Sequence, residues 1–322
     1  MRVLVTGSAG FIGSHICHIL CSRGDSVVGL DNFNEYYDSR RKRKNTADVL
    51  KNFPTNFRVV EGDILDVILL GDLCASEHFD AIIHLAARAG VRASLEDPFL
   101  TEKVNIRGTL RVFDAARRFA IPKVIYASSS SVYGDCRDIP FRESQFLRPV
   151  SPYAATKLAN ENDAYIFSSA HGLQTIGFRF FTVYGPRGRP DMAPYLFTDR
   201  IARGLPLPKF GDGTTARDYT FIDDIVSGVM SALDHFSEPY GVFNLGNAEV
   251  TTLNEFIALI ENILGKKAII QQLPFQQGDV TITNADITLA REKLGFLPKT
   301  SLRQGMEKFV EWYAREIFSE KG

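Results

Sequence analysis

Cysteine is scarce in this chain: there are four in 322 residues, Cys17, Cys21, Cys74 and Cys136. Cys17 and Cys21 would share one helix face, and all four read as reduced core thiols rather than metal ligands. Charge of one sign is missing too. Lys plus Arg is 37 against 38 for Asp plus Glu, a net charge of -1, so the balance points neither to nucleic acid nor to an anionic membrane surface. Long apolar runs are absent, and stretches such as "AIIHLAA" fall far short of the roughly 18 residues that suggest a membrane span. A charged-then-apolar leader is lacking at the first residues, and neither an internal repeat nor a low-complexity segment stands out. What remains is a globular, cytoplasmic chain whose 45% hydrophobic residues can fill a large core.

What is present first is a repeated strand–helix pattern. "RVLVT", "GSAGFIG", "SHICHILCSRG" and "SVVGLD" read as strand, glycine turn, helix and strand, which is one βαβ unit. Further strands are predicted at "FRVVEGD", "DAIIHLA", "KVIYASS", "TIGFRF" and "VFNLG", with helices over Val104 to Ala120 and Pro152 to Ser169. Such alternation implies an α/β fold with a parallel sheet covered on both faces. After Phe181, Gly and Pro become frequent and the apolar period is patchy until helical patterns at Thr252 to Leu264 and Leu302 to Phe318. A smaller lobe is expected there. The basic run "RRKRK", Arg40 to Lys44, reads as a solvated helix face.

Gly7, Gly10 and Gly13 stand three apart between a predicted strand and helix. Glycine lets backbone N–H groups approach a pyrophosphate, and the positive end of the helix dipole favours it. Asp31 ends the next strand 18 residues after Gly13. A carboxylate there accepts hydrogen bonds from ribose hydroxyls and repels a 2′-phosphate, so NAD is expected rather than NADP. Phe11 and Ile12 in the turn, Asn32 beside Asp31, and the strand-end residues Asp63, Ile64, Leu85, Ala86 and Ala87 complete the expected cofactor site.

"SPYAATK" puts Tyr153 and Lys157 one helical turn apart, and "ASSSSVYG" ends a strand with four hydroxyls, Ser128 to Ser131. A phenol ionises near pH 10, but a neighbouring ammonium and a nicotinamide cation would lower that value, and Tyr153 could then exchange a proton with a substrate hydroxyl. At least one of the serines could bond the same oxygen.

A glycine triplet, a strand-end serine and YxxxK in this order resemble the extended short-chain dehydrogenase/reductase family, and the likeness spans the whole chain. The resemblance implies a doubly wound seven-stranded parallel sheet, with residues 1–177 and about 217–247 binding NAD and residues 178–216 and 248–322 forming a UDP-sugar lobe. By position before "VYG", Ser129 matches the family's catalytic Ser/Thr, with Ser130 beside the sugar and Tyr153 and Lys157 also meeting the cofactor. "RDYTFIDD" resembles the segment in which an arginine, here Arg217, meets the diphosphate. Asp279 in "GDV" resembles the acid on the UDP ribose, while Gln276 stands where relatives often have a helping arginine. The family also implies a homodimer through the Val104 and Pro152 helices.

The substrate is read from "TVYGPRGRPDMAP", Thr182 to Pro194. Ser130 and Ser131 stand where sugar 4,6-dehydratases carry Asp and Glu, which argues against dehydration. Thr182 stands where neutral-sugar epimerases and decarboxylases usually have Asn. The segment instead resembles the UDP-glucuronate 4-epimerase branch, as does "HLAARAGVRASLEDP", in which Arg88 replaces a frequent Gln and reads as a surface residue. A C6 carboxylate suits an arginine fork, two parallel hydrogen bonds, supported by a Thr hydroxyl. Arg189 is expected in that role with Thr182, while Arg187 has none. Alternatives are an epimerase of UDP-glucose or UDP-N-acetylglucosamine, a UDP-glucuronate decarboxylase, and a non-catalytic NAD sensor or scaffold.

Overall fold

The computed structural model describes residues 1–275 and 280–318. Its strands are β1 (Arg2–Thr6), β2 (Ser26–Asp31), β3 (Phe57–Glu61), β4 (Ala81–His84), β5 (Lys123–Ser129), β6 (Gln174–Phe180), β7 (Thr182–Tyr184), β8 (Pro206–Phe210), β9 (Ala216–Phe221), β10 (Tyr240–Leu245), β11 (Val250–Thr252) and β12 (Ile269–Leu273). Its α-helices are α1 (Phe11–Ser22), α2 (Ser39–Asn52), α3 (Val67–Ser76), α4 (Val91–Glu96), α5 (Pro98–Glu102), α6 (Gly108–Arg118), α7 (Pro152–His171), α8 (Ala193–Arg203), α9 (Ile222–His235), α10 (Leu253–Leu264), α11 (Thr288–Leu294) and α12 (Leu302–Tyr313).

Seven strands form one sheet in the order β10-β6-β5-β4-β1-β2-β3, and every pair is parallel. Side chains alternate across each strand, so both faces must be covered. Val3 and Val5 join a core with Ile16 and Leu20 of α1 and Ile225 and Val229 of α9. Leu4, between them, joins the opposite core with Leu70 and Leu73 of α3 and Val112 and Phe113 of α6. The expected doubly wound seven-stranded sheet is therefore present. The chain runs outward from β1 to β3 and then returns to β4 on the other side of β1, which opens a crevice at the carboxyl ends of β1 and β4.

Beyond β6 the chain builds a three-stranded sheet, β11-β9-β7, and a two-stranded one, β12-β8. Aromatic rings fill the space around them, with Tyr219 stacked on Phe256 at 4.3 Å and Tyr184 against Phe221 at 5.6 Å. The helix expected from Val104 is reached through a wider π turn, Lys103–Arg107, between α5 and α6. Its cause is polar: Asn105 points inward, accepts from the Arg88 amide at 2.8 Å, and donates to the Arg88 carbonyl and the Thr156 hydroxyl at 3.0 Å. That asparagine ties the chain after β4 to the start of α7, the two segments that flank the crevice.

Candidate active site

The crevice is a cavity of about 400 Å³. At its base the turn after β1 is held by contacts that only glycine tolerates. Gly7 has φ +71°, and a Cβ there would lie 2.7 Å from the Ala86 amide; a Cβ on Gly13 would lie 2.1 Å from the Gly7 carbonyl oxygen. The turn thus packs directly on the end of β4, and α1 begins at Gly10 with no side-chain cap. Uncapped first-turn amides over a glycine cradle suit a pyrophosphate. Gly7, Gly10, Phe11, Ile12, Gly13, Asp31, Asn32, Asp63, Ile64, Leu85, Ala86 and Ala87 all line the cavity.

Asp31 accepts hydrogen bonds from the Ala9 and Phe33 amides at 3.1 and 2.9 Å. Burial raises its pKa, and the Lys42 ammonium offsets part of that rise. Asn32 donates to Asp63 at 2.8 Å, which links the ends of β2 and β3. The basic run departs here from a uniformly solvated face. Lys42 is buried and lines the cavity, bonding the Asn34 carbonyl and side chain at 3.0 Å, while Arg41 lies over the Tyr195 ring at 4.5 Å. Lys42 falls on the stripe Lys42, Asn45, Thr46, Val49 that α2 buries, a helical spacing visible in the sequence.

At the other end, Ser151 caps α7 by accepting from the Ala154 amide, so Tyr153 and Lys157 project from its first turns. Both line the cavity, with Ser128 to Ser131 opposite them at the end of β5. The four hydroxyls are not equivalent. Ser128 donates to the buried Glu161 carboxylate at 2.5 Å, and Glu161 is paired with Arg179 at 2.7 Å. Ser129 instead donates to the Ser131 hydroxyl at 3.1 Å, and burial holds the nearby Tyr153 phenol above its ordinary pKa, against which the Ser129 hydroxyl and the Arg189 guanidinium favour ionisation. Lys157, expected to be the main cation acting on Tyr153, has a different partner: it donates to the Ala127 carbonyl at 2.8 Å and lies 5.9 Å from the Tyr153 ring centre. Burial brings its own pKa down to about 8. Below these groups His84 is buried between the hydroxyls of Thr6 (2.7 Å) and Thr109 (3.0 Å).

Thr182 and Arg189 line the same cavity. The fork expected for a substrate carboxylate is already taken: Arg189 donates through Nε at 3.0 Å and Nη2 at 2.5 Å to Asp191. Nη2 also donates to the Tyr36 hydroxyl at 3.2 Å, and among the described hydrogen bonds Nη1 makes none. Arg88 is not a plain surface residue, because its guanidinium stacks 4.9 Å from the Tyr36 ring that Arg189 covers from 5.2 Å. Tyr36 is a member of the site that sequence reasoning missed. Its only signal is its position in the loop after the Asp31 strand.

Arg217, on β9, directs its guanidinium to the carbonyls of Ala216 (2.9 Å) and Thr281 (3.3 Å) and is absent from the lining. β9 pairs with β7 and β11 in the smaller sheet, not with the parallel sheet. Asp279 and Gln276 lie outside the described residues.

Residues 3–246 match the model of the NAD dependent epimerase/dehydratase family. Among similar proteins, UDP-glucuronate 4-epimerase 4 of Arabidopsis thaliana is 43% identical over 100% of this chain and 77% of its own. Among solved structures, the UDP-glucuronic acid 4-epimerase of Bacillus cereus, in complex with UDP-glucuronic acid and NAD, is 34% identical with a TM-score of 0.92, covering 98% of this chain and 99% of that one. The UDP-glucose 4-epimerase of Thermotoga maritima, with UDP-glucose, is 32% identical with a TM-score of 0.90, covering 98% and 99%. The chain belongs to the NAD dependent epimerase/dehydratase family.

Proposed function

We propose that the protein interconverts UDP-glucuronate and UDP-galacturonate by oxidising C4 of the sugar to a ketone and reducing it from the other face. One observation carries the choice of substrate: Arg189, Thr182 and Tyr153 line one cavity of about 400 Å³. In a glucuronosyl group the carboxylate hangs from C5, next to C4. A residue that takes the C4 hydroxyl proton and one that holds the carboxylate must then face the same small volume. The Arabidopsis and Bacillus relatives carry this activity in their names.

Tyr153 accepts the proton of the 4-hydroxyl and later returns it, while Ser129, which lines the same cavity, holds the same oxygen in line. Bound NAD would supply a hydride acceptor and donor for C4 and an oxidised ring whose positive charge would favour the Tyr153 phenolate. The cradle of Gly7, Gly10 and Gly13 and the first turn of α1 hold the pyrophosphate, and Asp31 holds the adenosine ribose. Lys157 anchors the cofactor's other ribose and, through Ala127, the end of β5. Ser130 touches the sugar, Arg217 the diphosphate and Asp279 the UDP ribose. Residues 1–177 with about 217–247 form the cofactor domain in this reading, and residues 178–216 and 248–322 the sugar lobe.

The 4-ketose of a uronic acid is a β-keto acid, which loses CO2 when the C5–C6 bond lines up with the carbonyl π system. Arg189, through Nη1, and Thr182 hold the carboxylate out of that alignment while the ring turns. Four free cysteines suit the reducing cytoplasm. Phe99 on α5 and Tyr165 and Ile166 on α7 are 84%, 57% and 53% exposed, an apolar face that a second copy would cover in a homodimer. The activity test is product identification by NMR. UDP-galacturonate should form from UDP-glucuronate without added NADH and without UDP-pentose, and turnover of UDP-glucose alone would overturn the reading.

A further inference from the structure

Arg187 and Arg189 leave their shared loop in opposite directions. Arg187 sits at φ +64°, a backbone conformation that side-chain-bearing residues rarely adopt, and its guanidinium enters a second cavity of about 530 Å³ behind α1. His15, His18 and Ile19 of α1, Asp48 of α2 and Trp312 of α12 wall this cavity. The Arg187 side chain is only 15% exposed, yet its partners stand off: the Ser14 carbonyl and the Asp48 carboxylate are both at 3.5 Å. Arg179, the more deeply buried of the two, meets its carboxylate at 2.7 and 2.9 Å. A buried guanidinium needs close acceptors to offset its lost hydration, and here burial lowers the Arg187 pKa instead of pairing raising it.

The surrounding groups leave Arg187 as the cation that an entering ligand would meet. His15 donates Nε2–H to the Pro186 carbonyl at 2.9 Å, and burial brings its pKa down to about 4; that of His18 is lowered as well. Both are neutral at pH 7. The acids on the rim have cations of their own: Glu316 pairs with Lys44 at 3.2 Å and Arg315 at 2.8 Å, Asp223 faces Lys308, and Glu311 faces Arg315. Asp48, 46% exposed, is the acid an incoming anion would displace, and it can turn to water. Val226, Pro186 and the Trp312 indole supply apolar wall.

We propose that this rear cavity is a second binding site, for an oxyanion carried on a flat aromatic body, as in an aryl or nucleoside phosphate monoester, with Arg187 gripping the oxyanion and Trp312 facing the ring. Trp312 is the chain's one tryptophan and lines this cavity, so tryptophan fluorescence comes from its wall. The full-length protein, with NAD and saturating UDP to fill the front cleft, is titrated with phenyl phosphate, with inorganic phosphate and with phenol, following Trp312 emission and the 31P line width of phenyl phosphate. Phenyl phosphate should bind saturably and at least fivefold more tightly than either fragment. Arg187→Gly suits the backbone conformation and should keep the fold while weakening binding tenfold or more; Arg187→Lys should fall between. Absence of saturable binding, equal binding by Arg187→Gly, or phenol binding as tightly as phenyl phosphate would each overturn the proposal.

Discussion

Tyr153 and Lys157 project from the first turns of a 20-residue helix, whereas Arg189 and Thr182 reach the same cleft from a short strand and the loop after it. The chemical end is fixed by backbone: a capped helix, a strand end, and an asparagine that clamps the segments between them. The selecting end is fixed by side chains, since Arg189 is held by Asp191 and sandwiches Tyr36 with Arg88. Geometry set by secondary structure is hard to disturb by one substitution except at the reacting group itself. Geometry set by side-chain partners can be changed one contact at a time, which suits the part of a cleft that chooses among substrates.

The largest expected effect tests the chemical end. Tyr153→Phe keeps the ring and removes the proton carrier, so kcat should fall about a thousandfold or more, with KM for UDP-glucuronate little changed. An equal rise in KM would mean that the two ends are not separable. Arg189→Ala tests the selecting end. It should lower kcat/KM for UDP-glucuronate up to about a hundredfold, the worth of one strong charge-assisted hydrogen bond, and release UDP-pentose as a second product. Unchanged epimerase turnover and affinity would remove Arg189 from the site.

The chemical end also carries an acid liability that the selecting end lacks. His84 has a pKa brought down to about 3 by burial, with the Lys157 charge adding to it, while in the unfolded chain a histidine titrates near 6.5. Above that value both states are neutral and the stability is intact. As pH falls toward 3 only the unfolded chain takes up the proton, so stability is lost through that window. His84→Asn removes the titration and can still bond Thr6 and Thr109. Chemical denaturation at pH 6 and pH 5 should show the parent losing about 1 kcal/mol more than the variant over that unit; parallel losses would assign the acid sensitivity elsewhere.

The contrast between the ends also explains what was legible in the sequence. Gly7, Gly13, Tyr153 and Lys157 work through local backbone geometry, and their spacing along the chain carries that geometry directly. So does the sheet, whose strands β1 to β6 are apolar runs separated by turn signals. Lys42 was hidden in a basic run, although its spacing from Asn45, Thr46 and Val49 marks the buried face of α2. The roles of Tyr36 and Asp191 depend on a contact between positions 155 residues apart, and no local pattern encodes such a meeting. The resemblance singled out Arg189 over Arg187, but where the Arg187 side chain goes depends on the direction that one left-handed residue gives the loop.

The smallest expected effect is the finest probe of the selecting end. The Tyr36 hydroxyl accepts from Arg189 at 3.2 Å and donates to Asp191 at 3.5 Å, while its ring lies between two guanidiniums. Tyr36→Phe removes the hydroxyl and keeps the ring, so Arg189 retains Asp191 and the stacking but loses one restraint. Hydrogen bonds as long as these, though made to charged partners, contribute about 1 kcal/mol, which corresponds to a rise in KM for UDP-glucuronate of roughly fivefold, with kcat and the product ratio unchanged. Tyr36→Ala should go further, because the cation–π contacts of Arg88 and Arg189 are lost with the ring. If Tyr36→Phe lowered kcat while leaving KM alone, Tyr36 would belong with Tyr153, and the boundary between the two ends would have to be drawn beyond the loop after β2.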